Sequence, residues 1–162
     1  DRVPPHEFSR TLEVNVTGQW LCAAAAFRRM ASQAPTGGRI ITNGSIAARV
    51  PRAHASAYAV SKHATTGITR SLALDGRPLG ITATQLDIGN ASTGLLAEFT
   101  ARPRGNGTAG EEAPAAGDAP PEPTFDVAHV ARMVAAVADL PATTSVPELV
   151  ITATGMPYDG RG

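Results

Sequence analysis

One cysteine in 162 residues excludes an internal disulfide framework. Cys22 sits in the apolar run "WLCAAAAF", which predicts a buried small hydrophobe rather than a reactive thiol. No run of about 18 apolar residues occurs, the length a membrane-spanning helix needs. The first ten residues, "DRVPPHEFSR", lack the basic-then-apolar layout of a secretory leader. The expected compartment is therefore the cytoplasm, where the sequons beginning at Asn15, Asn43, Asn90 and Asn106 carry no glycan. Basic and acidic residues balance at 14 each with no Lys/Arg block, so neither a nucleic acid nor a membrane is an expected partner. His6, His54, His63 and His129 show no metal-ligand spacing with Cys, Asp or Glu, and no metal is expected.

What is present is an ordinary one-domain composition, 43% hydrophobic and 17% charged. After Pro4-Pro5, Phe8, Leu12, Val16, Trp20 and Phe27 recur at helical intervals and predict one long helix from about His6 to Ser32. A Gly-Gly break then leads into Ile40-Ile41-Thr42, a buried strand ending near Ser45, and "IAARVPRAHA" reads as loop. A second helix is expected from Ser56, its candidate N-cap, to about Leu74, and a second strand from Ile81 to Leu86. Residues 100–123 are rich in Gly, Pro and Ala without periodicity and read as a mobile loop. "FDVAHVARMVAAVADL" predicts a third helix capped by Asp126, and "ELVITAT", 148–154, a third strand. Alternating helices and strands argue for an α/β fold with a parallel sheet covered on both faces.

Within the second helix stands "SAYAVSK", residues 56–62. Residues four apart share a helix face, so the phenol of Tyr58 and the ammonium of Lys62 meet at one site. A cation held beside a phenol favours the phenolate, which makes the pair a candidate proton donor and acceptor. Two decoys fail on context. "GNGTAG", 105–110, has the literal G-x-G-x-x-G spacing but follows no strand and opens no helix. Ser45, Asp87 and His129 occur in the order used by α/β-hydrolases, yet "NGSIA" lacks the glycine two after the serine that the nucleophile elbow requires.

Ser45 at a strand end, Tyr58 thirteen positions later and Lys62 four beyond it resemble the short-chain dehydrogenase/reductase family. "NVTG", 15–18, resembles the family's helix asparagine, and "DIGNAST", 87–93, its Pro-Gly-x-Val-x-Thr turn, with Ile88 in place of proline and Ala91 in place of a β-branched residue. The ending "ITATGMPYDGRG" is similar to the family's C-termini. The resemblance implies a partial Rossmann-like, doubly wound parallel sheet, its last three strands with flanking helices. It implies NAD or NADP as cofactor and a carbonyl or alcohol substrate. Tyr58 would be the acid/base, Lys62 its electrostatic partner, Ser45 a donor to the substrate oxygen, and Asn15 the holder of a relay water. Tyr58, Lys62, Ile88, Gly89, Ala91 and Thr93 would meet the nicotinamide end, and His54 would border the substrate. A homodimer or homotetramer built on the two long helices is expected. The family's TGxxxGxG turn is not found here, so the chain reads as the C-terminal, catalytic portion of one such domain, residues 1–162, with the dinucleotide-binding part absent and the isolated chain inactive. A non-enzymatic piece keeping only the association surface is the alternative.

Overall fold

The computed structural model describes residues 3–93 and 122–158. The "GNGTAG" decoy and nearly all of the expected mobile loop lie outside them. The first expected helix forms, in three parts: α1 (Pro5–Leu12), a π-helical turn (Glu13–Gly18) and α2 (Gln19–Ser32). Proline in its first turn costs no hydrogen bond, because the leading N–H groups of a helix have no internal acceptor. The π turn holds one residue more per hydrogen-bonded ring than an α turn, and such turns recur at functional sites.

Strand β1 (Gly38–Asn43) follows, then a short 3-10 turn (Ile46–Ala48), the long helix α3 (Ser56–Gly76) and β2 (Ile81–Ile88). Gly80, at φ +68°, makes the left-handed step that turns the chain from α3 into β2, a conformation that costs glycine nothing. Two two-residue strands, β3 (Ala91–Ser92) and β4 (Phe125–Asp126), pair with each other in parallel, which no sequence periodicity announced. Helix α4 (Ala128–Ala138) and β5 (Glu148–Ile151) complete the described chain. The main sheet is parallel in the order β1-β2-β5, with Gly38 opposite Ile81 and Gln85 opposite Glu148. This is an α/β, partial Rossmann-like arrangement.

Central β2 is buried almost throughout, with Ile81, Ala83 and Leu86 in the core. Removing a side chain the size of Ile81 from water contributes about 2–3 kcal/mol. Between α3 and its neighbours the seam is polar instead. Ser61, Thr65 and Thr69, at successive four-residue steps, form a buried hydroxyl stripe on α3. Thr65 donates to Gln19 Oε1 of α2 (2.9 Å), and Thr69 shares a 2.7 Å bond with Thr42 of β1. Replacing Thr69 with valine keeps the shape and removes that link; the expected loss is about 1 kcal/mol of unfolding free energy, read from the urea midpoint.

Three local expectations are corrected. Cys22 is exposed: the inward face of α2 is the one carrying Ala23, and Trp20, Leu21 and Cys22 turn away from it. Ser56 is not the N-cap, because Ala55 O already accepts from Ala59 N–H and Ser56 falls within the first turn. Asp126 is not the N-cap either: Val127 holds that position, its carbonyl accepting from Ala131 N–H, and Asp126 stands one residue ahead, its Oδ1 accepting from Ala128 N–H at 2.9 Å.

Candidate active site

The C-terminal end of β1 and the first turns of α3 meet at one place. Lys62 reaches across to donate to the Asn43 carbonyl at 3.0 Å, and its ammonium lies 5.5 Å from the centre of the Tyr58 ring. At that range the ammonium lies within cation–π reach of the ring face. Tyr58 itself is 43% exposed and open to an incoming molecule. Burial pushes the Lys62 ammonium below the usual lysine range, and the Asp87 carboxylate partly offsets that.

Ser45 lies two residues past Asn43, buried, with an extended backbone. Its Oγ accepts from Ala47 N–H at 3.2 Å, which uses the oxygen's acceptor side and leaves the hydroxyl proton to be donated elsewhere. The turn that follows Ser45 packs directly on α3. Asn15, in the π turn, donates from Nδ2 to Ser61 Oγ at 3.1 Å, and Ser61 donates to the Tyr58 carbonyl at 2.7 Å. The asparagine is thus tied to the helix that carries both Tyr58 and Lys62.

Ile88 ends β2 in register with Ile151, so the strand continues where proline would interrupt a central ladder. Gly89 N–H donates to Ile151 O and Ala91 N–H to Gly89 O, both at 2.9 Å, so these two donors are spent within the protein. Ala91 is buried against Leu86 and Val130, and Thr93 is exposed at the end of the described turn. His54 is exposed in the loop before α3, and His129 packs its ring on Phe125. The hydrolase arrangement is absent: Asp87 holds the Ser45 backbone, and no hydrogen bond joins His129 to either residue among those described.

Asp87 is the residue that sequence reasoning passed over. Its side chain is completely buried; Oδ1 accepts from Ser45 N–H (2.9 Å) and from Gln85 Nε2 (2.8 Å). Arg49 Nε stands 3.9 Å from Oδ2, and the same guanidinium is paired with Glu148. Burial raises the Asp87 carboxyl above the usual carboxylate range, against the lowering effect of the Gln85 and Ser45 bonds. A cavity of about 280 Å³ is walled by Ile46, Val50, Met156, Tyr158 and Arg52, the last hydrogen-bonded to Glu122 and Asn90; it begins one residue past Ser45, and neither Tyr58 nor Lys62 lines it.

The family model described as short chain dehydrogenase matches residues 1–104, a stretch that contains Asn15, Ser45, Tyr58, Lys62 and the 88–93 turn. The chain belongs to the short-chain dehydrogenase family. Sorbitol-6-phosphate 2-dehydrogenase of Escherichia coli is 40% identical over 84 residues, 52% of this chain and 32% of that protein. The crystal structure of acetoin dehydrogenase YohF from Salmonella typhimurium superposes with a TM-score of 0.70 at 25% identity, over 93% of this chain and 55% of that one. An alcohol dehydrogenase from Thermococcus sibiricus, complexed with 5-hydroxy-NADP, shares the fold with a TM-score of 0.71 at 18% identity, over 96% of this chain and 57% of that one. This short-chain dehydrogenase chain thus spans a little over half the length of those two solved relatives.

The family match corrects the expectation of a C-terminal remainder from which the dinucleotide-binding part is absent. It runs from residue 1 through the N-terminal region and takes in Lys62 and the 88–93 turn, the positions that by resemblance meet the cofactor. The residues present fit the nicotinamide end of such a cofactor: the Lys62 ammonium has three N–H donors and spends one on Asn43 O, leaving two for ribose hydroxyls.

Proposed function

We propose that this chain carries the catalytic residues of an NAD(P)-dependent oxidoreductase that interconverts a carbonyl and an alcohol. The observation that carries the reading is the Lys62 ammonium, anchored on the last residue of β1 and set over the Tyr58 ring. Bound NAD or NADP supplies or accepts the hydride. Tyr58 gives a proton to the substrate oxygen in reduction and takes it in oxidation. Lys62 stabilises the resulting phenolate and offers its remaining donors to the cofactor ribose. Ser45 turns its free hydroxyl proton toward the substrate oxygen, where charge develops. Asn15 orients the Tyr-Lys helix through Ser61 and stands beside the proton path. The mainly apolar cavity walled by Ile46, the residue after Ser45, with Arg52 in its lining, is the substrate compartment of this reading.

Names of the relatives suggest the probes: acetoin and sorbitol 6-phosphate, offered to the protein at its natural length with NAD and with NADP. Hydride transfer is read as cofactor absorbance at 340 nm and as deuterium passing from C2-labelled or carbinol-labelled alcohol to the cofactor. Turnover with label transfer supports the reading; cofactor reduction without label transfer would exclude direct hydride transfer. Exposed Val14, Trp20 and Leu21 on the first long helix, with Val60 and Leu74 on α3, support self-association as a homodimer or homotetramer. No helix among the described residues is long and apolar enough to cross a membrane.

A further inference from the structure

We propose that Asp87 is a positioning residue for Ser45: its buried carboxylate grips the serine's backbone and so sets the direction in which the hydroxyl presents its proton. The inference rests on the reading of Ser45 as donor to the substrate oxygen. Three features converge on the contact. Oδ1 takes two hydrogen bonds, from Ser45 N–H and from Gln85 Nε2, which restrain the carboxylate through that oxygen. Gly44 leaves room for it, since a Cβ there would stand 2.0 Å from Oδ1. Ala47 N–H holds Ser45 Oγ from the other direction. The serine is therefore clamped at its peptide and at its oxygen, and only the hydroxyl proton remains to be aimed.

The arrangement costs the fold something. Asp87 Oδ2 is buried without a hydrogen-bond partner, and Arg49 Nε, at 3.9 Å, is too far to supply one. An apolar residue would fill this place on the central strand without that penalty. An ionisable group kept there, bonded to the one backbone N–H that belongs to the candidate oxygen-binding serine, is what a positioning role requires.

The test measures kcat and KM with acetoin or sorbitol 6-phosphate, whichever turns over, in the protein at its natural length. Asp87→Asn keeps an amide oxygen for Ser45 N–H and is expected within about threefold of wild-type kcat at neutral pH. Asp87→Ala removes the acceptor and is expected to lower kcat by about tenfold or more with the cofactor KM unchanged. The deciding readout is the pair, measured on the pH plateau below the alkaline limb, where Lys62 is charged in every variant: Asp87→Ala combined with Ser45→Ala is expected to be no slower than Ser45→Ala alone, within about twofold, because on that plateau the carboxylate acts through the serine and has nothing left to orient. Losses that multiply, or an Asp87→Ala enzyme with wild-type kcat, would overturn the proposal. Should Asp87→Ala not fold, Asp87→Ser, whose hydroxyl is too short to reach Ser45 N–H, is judged by the same criteria. Loss of activity in Tyr58→Phe together with multiplying Asp87 and Ser45 effects sinks this inference alone. No turnover in the wild type, or full activity in Tyr58→Phe, sinks the reading beneath it and this inference with it.

Discussion

Tyr58→Phe is expected to lower kcat by about 10²–10⁴-fold while leaving the fold intact. The substitution removes one oxygen and nothing else. The ring stays in place, so the Lys62 ammonium keeps its aromatic neighbour and its bond to Asn43 O. Tyr58 is substantially exposed, and its hydroxyl makes no hydrogen bond among the described residues, so unfolding free energy should change by less than about 0.5 kcal/mol. On the proposed reading the proton donor has no substitute among the described residues: Ser45 already donates its hydrogen bond to the substrate oxygen, and a lysine that surrendered its proton would also surrender its charge. Steady-state kinetics beside thermal melts of the two proteins decide the matter. Equal losses of activity and of melting temperature would make Tyr58 a packing residue.

The residues of this site differ in how legible they were. Tyr58 and Lys62 are close in sequence, and helical geometry alone brings them to one face. Lys62 is also the chain's single lysine, the other 13 basic residues being arginine, so a compact, tunable ammonium stands at this position alone. Ser45 was legible only through the family spacing, since a serine at a strand end has many ordinary uses. Asp87 was not legible, because nothing in "QLDIGN" says that the carboxylate turns inward, and its partner Ser45 is 42 positions away across the β1–β2 ladder. Parallel pairing creates such contacts, and a linear pattern cannot show them. Cys22 failed for a different reason. The run around it is apolar on every side, so it has no periodicity from which to read the buried face. The π turn at Glu13–Gly18 left no composition signal either, apart from Asn15, a residue unusual within a helix.

Lys62→Met is expected to cost activity and gain stability in the same protein, and the two effects separate with pH. On the proposed reading the ammonium supports the Tyr58 proton transfer and would offer two donors to the cofactor ribose, so its removal is expected to cost about 10²–10³-fold in kcat/KM. The stability effect follows from the direction of the Lys62 shift. Burial lowers its folded-state pKa below the value in the unfolded chain. At pH below that lowered value the ammonium is charged in both states, and the folded state carries the full desolvation penalty. As pH rises through the lowered pKa toward the ordinary lysine value of about 10.5, the unfolded chain binds more protons than the folded one, and wild-type stability recovers. Methionine, of similar length and without charge, avoids the penalty throughout. Its melting temperature should therefore exceed the wild type's at neutral pH, and the gap should narrow as the pH climbs through that window. The same lowered pKa sets the alkaline limit of catalysis, so wild-type kcat/KM should fall at a pH below that of free lysine. Because the Asp87 carboxylate is what holds the Lys62 pKa up against burial, Asp87→Asn should move that alkaline limb to still lower pH. A melting gap that widens with alkali, or an Asp87→Asn profile shifted upward, would mean that the buried charge at this site is balanced by groups other than the ones named here.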